Sequence, residues 1–353
     1  MGRPAHRLRL AHREHLMRLL VTGGAGFIGS EFARQTLREH PEDSVVVLDK
    51  LTYAGNPRNL DSIHDDSRFR FVQGDIVDPH KVAQLADECD VIVNFAAESH
   101  VDRSLHAPGQ FIQTDVYGTF VLLEAARAAG HTRFVQVSTD EVYGQVLSGR
   151  SGEDAALRPR SPYSASKAGA EMLVWAYRSS YGFGAMITRG SNTYGQHQYP
   201  EKIIPLFITN ALDDLPLPIY GDGGAVRDYI HVEDHCRGID TVLRRGALGE
   251  DYNIGQEGEE ISGVRIADTV LELLDKPSSL KQFVRDRPGH DRRYAIDETK
   301  ARTELGYAPS RGFSEQFTVT LNWYLDNEPW WRTIMDGSYR AWVDANYSCR
   351  SPA

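Results

Sequence analysis

The chain is poor in cysteine and has no positive charge to spare. Cys89, Cys236 and Cys349 are its three cysteines, far apart and without a C-x-x-C pair. That excludes a disulfide framework and gives zinc no recognisable ligand spacing, so no metal is expected and a reducing cytoplasm is the natural location. Long apolar runs are missing too. No stretch approaches the ~20 apolar residues of a membrane span, and no membrane partner is expected. The balance of 39 Lys and Arg against 49 Asp and Glu leaves a net charge of −10. An acidic chain of this kind is not a general nucleic-acid binder, and any phosphate site in it must be built locally. The first residues, MGRPAHRLRLAHREHL, lack the continuous apolar segment and small-residue cleavage site of a secretory signal. Residues 1–16 read as a disordered N-terminal extension, with the fold beginning at Met17.

What is present is an ordinary globular composition, 41% apolar and 25% charged, in 353 residues, enough for a large core and two lobes. Short β-branched runs alternate with longer mixed segments through the N-terminal half, the pattern of a parallel sheet with crossover helices. Expected strands are Leu19 to Thr22, Val45 to Asp49, Phe69 to Gln73, Val91 to Phe95, Phe134 to Ser138 and Ala185 to Arg189. Runs such as VVVL and VIVNF are continuously apolar, which implies burial on both faces. The fold class is therefore α/β, a doubly wound parallel sheet with a smaller C-terminal α/β domain. Frequent Pro and Gly after about Gly195 place the boundary there: 17–195 for the first domain and 196–353 for the second, with segments around 225–260 free to return to the first. The aromatic-rich end, WYLDNEPWW and YRAWVDANY, is expected to pack the tail down.

In VTGGAGFIGS, Gly24, Gly26 and Gly29 fit G-x-G-x-x-G, and Gly23, Gly26 and Gly29 fit a second glycine spacing. The string follows a strand and opens a helix that begins at Phe27 and Ile28. Such a turn lets backbone approach a pyrophosphate at the positive end of the helix dipole. Asp49 ends the next strand twenty residues beyond Gly29, where a carboxylate can accept hydrogen bonds from ribose hydroxyls and repels a 2′-phosphate. NAD is favoured over NADP, with Lys50 the one neighbouring cation. Asp75 and Ile76 are placed to reach an adenine, and Ala96 and Ala97 leave room at the carboxyl edge of the sheet. The alternative is a glycine turn used for packing alone.

Tyr163 and Lys167 stand at i and i+4 in SPYSASKAGAEMLVWAY, hence on one helix face. A nearby ammonium favours the phenolate and lowers the tyrosine pKa from about 10. Tyr163 can then take a proton from a substrate hydroxyl while hydride leaves the same carbon. By itself such a pair is common on helices; behind a dinucleotide site it reads as catalytic.

The motifs VTGGAGFIGS, AAESHVDRS, STDEVYG, YSASK, SNTYG, YPEKIIPL, PIYGDGGAVRDY, YNIG and DRPGHDRRYAID follow in that order. Together they resemble the dTDP-glucose 4,6-dehydratases of the extended short-chain dehydrogenase family, from about Met17 to the C-terminus. The resemblance implies a Rossmann sheet of the extended type, tightly held NAD, a homodimer built on helices of the cofactor domain, and a hydro-lyase activity (EC 4.2.1.46) in deoxysugar biosynthesis. It adds Thr52, Ser99, Thr114 and Thr193 to the cofactor residues. Thr139, Asp140 and Glu141 match substrate-contact, acid and base positions. Two adjacent carboxylates suit elimination: oxidation at C4 makes the C5 proton acidic enough for Glu141, and loss of the C6 hydroxyl needs a neutral acid, Asp140. Both reach one sugar only if the chain leaves strand geometry after Ser138. For the nucleotide sugar, the resemblance implies Arg227, Arg287 and His290 at the diphosphate or ribose, and Pro218, Ile219 and Tyr220 around the base. Asn192, Lys202, Asn253 and Tyr347 are further contacts, with Ser99 and Thr139 on the sugar. Arg285, Arg292 and Arg293 share the Arg287 loop, and for any single arginine there surface solvation is the competing reading.

Three positions depart from the family pattern. Gly190 stands where cysteine is common, Thr193 replaces the second asparagine of SNNYG, and Asp115 replaces the asparagine that usually follows Thr114. Two competing readings stay open. A 4-epimerase shares the cofactor site and Tyr163 but needs no acid and base pair; a non-catalytic nucleotide-sugar or NAD-binding regulator needs neither Tyr163 nor the carboxylates.

Overall fold

The computed structural model describes residues 16–256, 258, 260–348 and 350. Cys349 and all but the last residue of the expected N-terminal extension lie outside them. Seven parallel strands form the central sheet, in the order Asp251–Ile254, Ala185–Gly190, Arg133–Thr139, Val91–Asn94, Arg18–Thr22, Ser44–Asp49 and Phe69–Gln73. All six strands expected from sequence are there. The seventh comes from the C-terminal half, where DYNI returns to pair with Ala185–Gly190.

Side-chain alternation divides the core between the two faces of the sheet. Leu19, Val21, Val45 and Val47 face helices Phe27–Glu39 and Val232–Arg245, packing with Phe32, Ile239 and Val242. Leu20, Leu48, Ile92 and Phe134 face helices Pro79–Glu88, Gly118–Ala128 and Pro162–Tyr181, packing with Val82, Leu122 and Val174. Chain direction across the sheet reverses between Arg18–Thr22 and Val91–Asn94, the switch point at which a crevice opens at the carboxyl ends of the strands.

Helix Pro162–Tyr181, which carries the Tyr163 and Lys167 pair, has sharp ends. Ser161 and Ser164 form a capping box, Pro162 takes the first helical position, and Gly182 ends the helix at φ 62°. Against it lies a helix interrupted by a π-helical turn, Ile112–Tyr117, between Pro108–Phe111 and Gly118–Ala128. The wide turn swings Thr114 and Asp115 toward the carboxyl edge of the sheet, a distortion often tied to function.

Among the described residues, the second lobe has no large sheet. It is built from short strand pairs, Leu217–Tyr220 with Lys281–Val284 and Val226–Arg227 with Ile261–Ser262, around helices Ile203–Leu212, Gly263–Leu273 and Phe313–Asp326. The C-terminal aromatics do pack the tail down: Trp331 is buried with Phe317 and Tyr324, and the Trp330 indole donates to Asn59 Oδ1 at 3.0 Å. No helix among the described residues is long and apolar enough to cross a membrane.

Candidate active site

A cavity of about 430 Å³ runs along the carboxyl edge of the sheet and into the second lobe. All residues expected at the cofactor, from Gly23 to Thr193, line it. At one end the chain leaves Thr22 through Gly23, whose φ is 68° and where an added Cβ would lie 2.6 Å from the Ala96 backbone nitrogen. A Cβ on Gly29 would meet the Gly23 carbonyl oxygen at 2.4 Å. Only glycine permits both the turn and the close helix approach. Helix Phe27–Glu39 starts at Gly26 with no side-chain cap, leaving first-turn N–H groups to an anion. The Asp49 carboxylate accepts from the Ala25 N–H at 2.9 Å and the Leu51 N–H at 2.8 Å, fixing the loop against the strand end. Lys50 is paired with Asp75 at 2.6 Å. Its charge is thus partly compensated, which removes the nearest candidate partner for a 2′-phosphate. These residues fit a dinucleotide without a 2′-phosphate.

At the reactive end, strand Arg133–Thr139 runs one residue further than expected. Thr139 is still extended, at φ −141° and ψ 153°, and Asp140–Tyr143 then coil into a 3-10 turn that Gly144 closes at φ 72°. This turn breaks the strand alternation, and Asp140 and Glu141 line the same cavity. The Thr139 hydroxyl accepts from the Glu141 N–H at 3.3 Å and donates to Asp140 Oδ1 at 3.2 Å. Asp140 Oδ2 is buried without a partner among the described residues. Burial first, and then the Glu141 charge, push the Asp140 carboxyl up to about 8. Glu141 is also pushed up by burial, opposed by Arg287, Arg227 and Lys202, and the Tyr294 hydroxyl lies 3.4 Å from its Oε2.

The Tyr163 and Lys167 pair is the point at which the sequence expectation needs correcting. Lys167 Nζ donates to the Val137 carbonyl at 2.7 Å, and burial lowers its pKa. Tyr163 is pushed well above the ordinary tyrosine value, by burial first and then by Glu141 and Asp115, while its hydrogen bond with Thr139 acts the other way. An ammonium four residues away does not outweigh a dry site flanked by carboxylates.

In the second lobe, Arg287 is part-buried, its Nε buried with no partner among the described residues and an Nη 3.9 Å from Asp102. Arg227 donates to the Asp291 carbonyl at 2.8 Å and lies 4.1 Å over the Tyr294 ring. His290 is held by Asp286 at 2.7 Å, and burial lowers its pKa to about 4. Lys202 Nζ donates to the Ser99 carbonyl at 2.6 Å. Tyr220 donates to Asp102 at 2.9 Å and stands 5.9 Å, ring to ring, from Tyr347. Pro218, Ile219 and Asn192 also line the wall, and the Asn192 side-chain oxygen is buried without a partner among the described residues. Arg292 and Arg293 turn away, paired with Asp222 at 2.6 Å and Glu260 at 2.5 Å.

Asn253 does not line the cavity. It is fully buried outside the cavity, donating to the Ser151 and Asp297 carbonyls and accepting from the Tyr143 hydroxyl at 2.8 Å. Arg189 donates to the same hydroxyl at 2.8 Å while ion-paired with Glu171 and Asp251. Asn253 therefore anchors Tyr143, the last residue of the 3-10 turn. Cavity residues that the sequence reading passed over include Glu98, Asp102, Glu201 and His235. Asp102 lay inside the motif AAESHVDRS and could have been found there; His235 had no such signal.

Asp115 has a defined place. Its Oδ1 accepts from the Glu98 N–H at 2.9 Å and its Oδ2 from the Ser166 hydroxyl at 2.5 Å, and burial pushes it up to about 7. Gly190 and Thr193, the other departures, both touch His235. A Cβ on Gly190 would lie 2.4 Å from the ring atoms Cε1 and Nε2, and Thr193 Oγ1 is 2.8 Å from Nδ1.

Comparison with known proteins agrees with this geometry. The family profile described as GDP-mannose 4,6 dehydratase matches residues 20–320. A dTDP-glucose 4,6-dehydratase of Streptomyces antibioticus is 48% identical over 323 residues, covering 90% of this chain and 95% of its own. The crystal structure of DesIV, a dTDP-glucose 4,6-dehydratase of Streptomyces venezuelae with NAD bound, is 50% identical over 90% of this chain and all of its own, with a TM-score of 0.88. A UDP-glucuronic acid 4-epimerase of Bacillus cereus shares the fold at 30% identity and a TM-score of 0.83, over 88% of this chain and 99% of its own. With this coverage, and with the cofactor turn and the carboxylate pair on one cavity, the chain belongs to the nucleotide-sugar 4,6-dehydratase family of extended short-chain dehydrogenases, among the dTDP-glucose 4,6-dehydratases.

Proposed function

We propose that the protein converts dTDP-glucose to dTDP-4-keto-6-deoxyglucose with NAD as a retained cofactor. The observation that carries this reading is the 3-10 turn after Thr139, which puts Asp140 and Glu141 on the cavity that also holds Tyr163 and Lys167. When bound, NAD would supply the hydride acceptor for C4 and, once reduced, the hydride donor for C6, and its oxidised ring would lower the cost of charge on the Tyr163 oxygen.

Thr139 holds the C4 hydroxyl by a hydrogen bond, and Tyr163, which must first be ionised against its raised pKa by the positive charge of the bound cofactor and of Lys167, accepts the proton of that hydroxyl as C4 becomes a ketone. Lys167, fixed to the Val137 carbonyl, lends positive charge to that end of the site. Glu141 then removes the C5 proton, now α to a carbonyl. Asp140, neutral below about pH 8, gives its proton to the C6 hydroxyl, which leaves as water. Reduction at C6 and protonation at C5 complete a reaction with no net redox change. Gly23, Gly26, Gly29 and Asp49 hold the cofactor; Arg227, Arg287 and His290 hold the diphosphate and its ribose; Tyr220 and Tyr347 frame the base. Residues 17–195, with segments around 225–260, serve as the cofactor domain and the rest of 196–353 as the sugar-nucleotide domain.

The reading extends to a cytoplasmic homodimer. Ile112, Tyr117, Phe120 and Met172 are all exposed on Ile112–Tyr117 and the helices Gly118–Ala128 and Pro162–Tyr181, an apolar set suited to a second copy. The test of function is incubation of the purified protein with dTDP-glucose. A product lighter by one water supports the reading; loss of water only from a UDP- or GDP-sugar reassigns the substrate. Unchanged mass with inversion at C4 gives an epimerase.

A further inference from the structure

Resting on the cofactor reading above, we infer that His235 is a further cofactor-binding residue, whose Nε2 accepts a hydrogen bond from the nicotinamide riboside half of the dinucleotide. His235 is 2% exposed, lines the cavity, and its Nε2 has no partner among the described residues. The opposite side of the ring is fixed. Thr193 Oγ1 is 2.8 Å from Nδ1 and 3.1 Å from the Ser191 carbonyl. The hydroxyl has one proton, and the carbonyl can only accept it. Oγ1 therefore accepts from Nδ1–H, which leaves Nε2 of the neutral ring as a bare acceptor. A buried acceptor without a donor is costly, so the site is built for one that arrives with a ligand.

Position selects the ligand. Gly190 is in register with Thr139 across the sheet, and the ring edge takes the space a Cβ on Gly190 would fill, 2.4 Å from Cε1 and Nε2. His235 therefore sits at the reactive end of the cavity, away from Asp49, Lys50 and Asp75. Its neighbour Cys236 also ties this helix to the phosphate-facing one, Sγ to the Ile28 carbonyl at 3.4 Å. The donors that a nicotinamide riboside presents there are its carboxamide N–H and its ribose hydroxyls. Gly190 and Thr193 then become one device, the first making room for the ring and the second setting its tautomer.

The test is calorimetric titration of enzyme stripped of nucleotide, with NAD and with ADP, which lacks the nicotinamide riboside. An asparagine can keep the bond to Thr193 but does not reach the Nε2 position, whereas a glutamine offers its oxygen there. His235→Asn is expected to weaken NAD about tenfold, one hydrogen bond's worth, and His235→Gln by no more than about threefold, with ADP unchanged in both. Gly190→Cys, which displaces the ring, is expected to act like His235→Asn. Full NAD affinity in His235→Asn would overturn the contact, as would an equal loss for ADP, the mark of a merely structural role. If wild-type enzyme still releases water from dTDP-glucose in that case, the dehydratase reading stands without His235.

Discussion

Asp140 and Glu141 are neighbours in sequence with the same functional group, and their environments divide the labour. Burial and the adjacent charge hold Asp140 protonated to about pH 8, while Glu141 faces Arg287, Arg227 and Lys202, which favour its charged form. A raised folded-state pKa keeps the proton bound below it and loses it above. Turnover should therefore fall as pH rises through about 8, and Asp140→Asn, which cannot donate a proton in the same way, should lower kcat by about 10²–10⁴ and abolish that limb. A pH–rate profile of both proteins checks this. Tyr163→Phe should abolish C4 oxidation while NAD stays bound, seen as cofactor absorbance that no longer changes on adding substrate. The types and roles of these residues were legible in STDEVYG and YSASK. Their protonation was not, because it depends on burial and on arginines more than eighty residues away in sequence.

At the scale of elements, the decisive feature is where a strand stops. Period-two alternation would have sent Asp140 and Glu141 to opposite faces, and the 3-10 turn overrides it. That turn is pinned through Tyr143 by Asn253 and Arg189. Tyr143→Phe should lower kcat several-fold with little change in KM, since it loosens the turn without touching substrate; steady-state kinetics separate the two. Sequence motifs placed Asn253 at the substrate because YNIG lies in the family pattern, but its amide is consumed by the chain itself. The π-helical turn makes a separable prediction. Asp115 has a folded-state pKa raised to about 7 by burial, so it favours the folded state in acid and disfavours it as pH rises through 7. Asp115→Asn should raise Tm relative to wild type by about 2–4 °C more at pH 8 than at pH 5, by thermal unfolding.

For the whole molecule, the sequence made the doubly wound sheet legible because each strand is a short apolar run set off from its neighbours. The seventh strand was harder to see. DYNI is short and half polar, and its burial is explained by its neighbours in space, strand Ala185–Gly190 and helices Val232–Arg245 and Thr299–Leu305. The second lobe, made of two- to four-residue strand pairs, has too little periodicity to read in advance. Assembly is a property at this scale. Phe120→Glu together with Met172→Glu should shift a dimer to monomer in sedimentation, with the fold intact by circular dichroism; an unchanged dimer would place the contact elsewhere. In the proposed reaction Glu141 and Asp140 carry out an elimination across C5 and C6. Turnover of dTDP-glucose in deuterated water tests it most directly, because C5 must lose its proton and regain one from solvent. The expected product has lost one water and carries one deuterium at C5, while a product of unchanged mass with no deuterium at C5 would rule out the elimination.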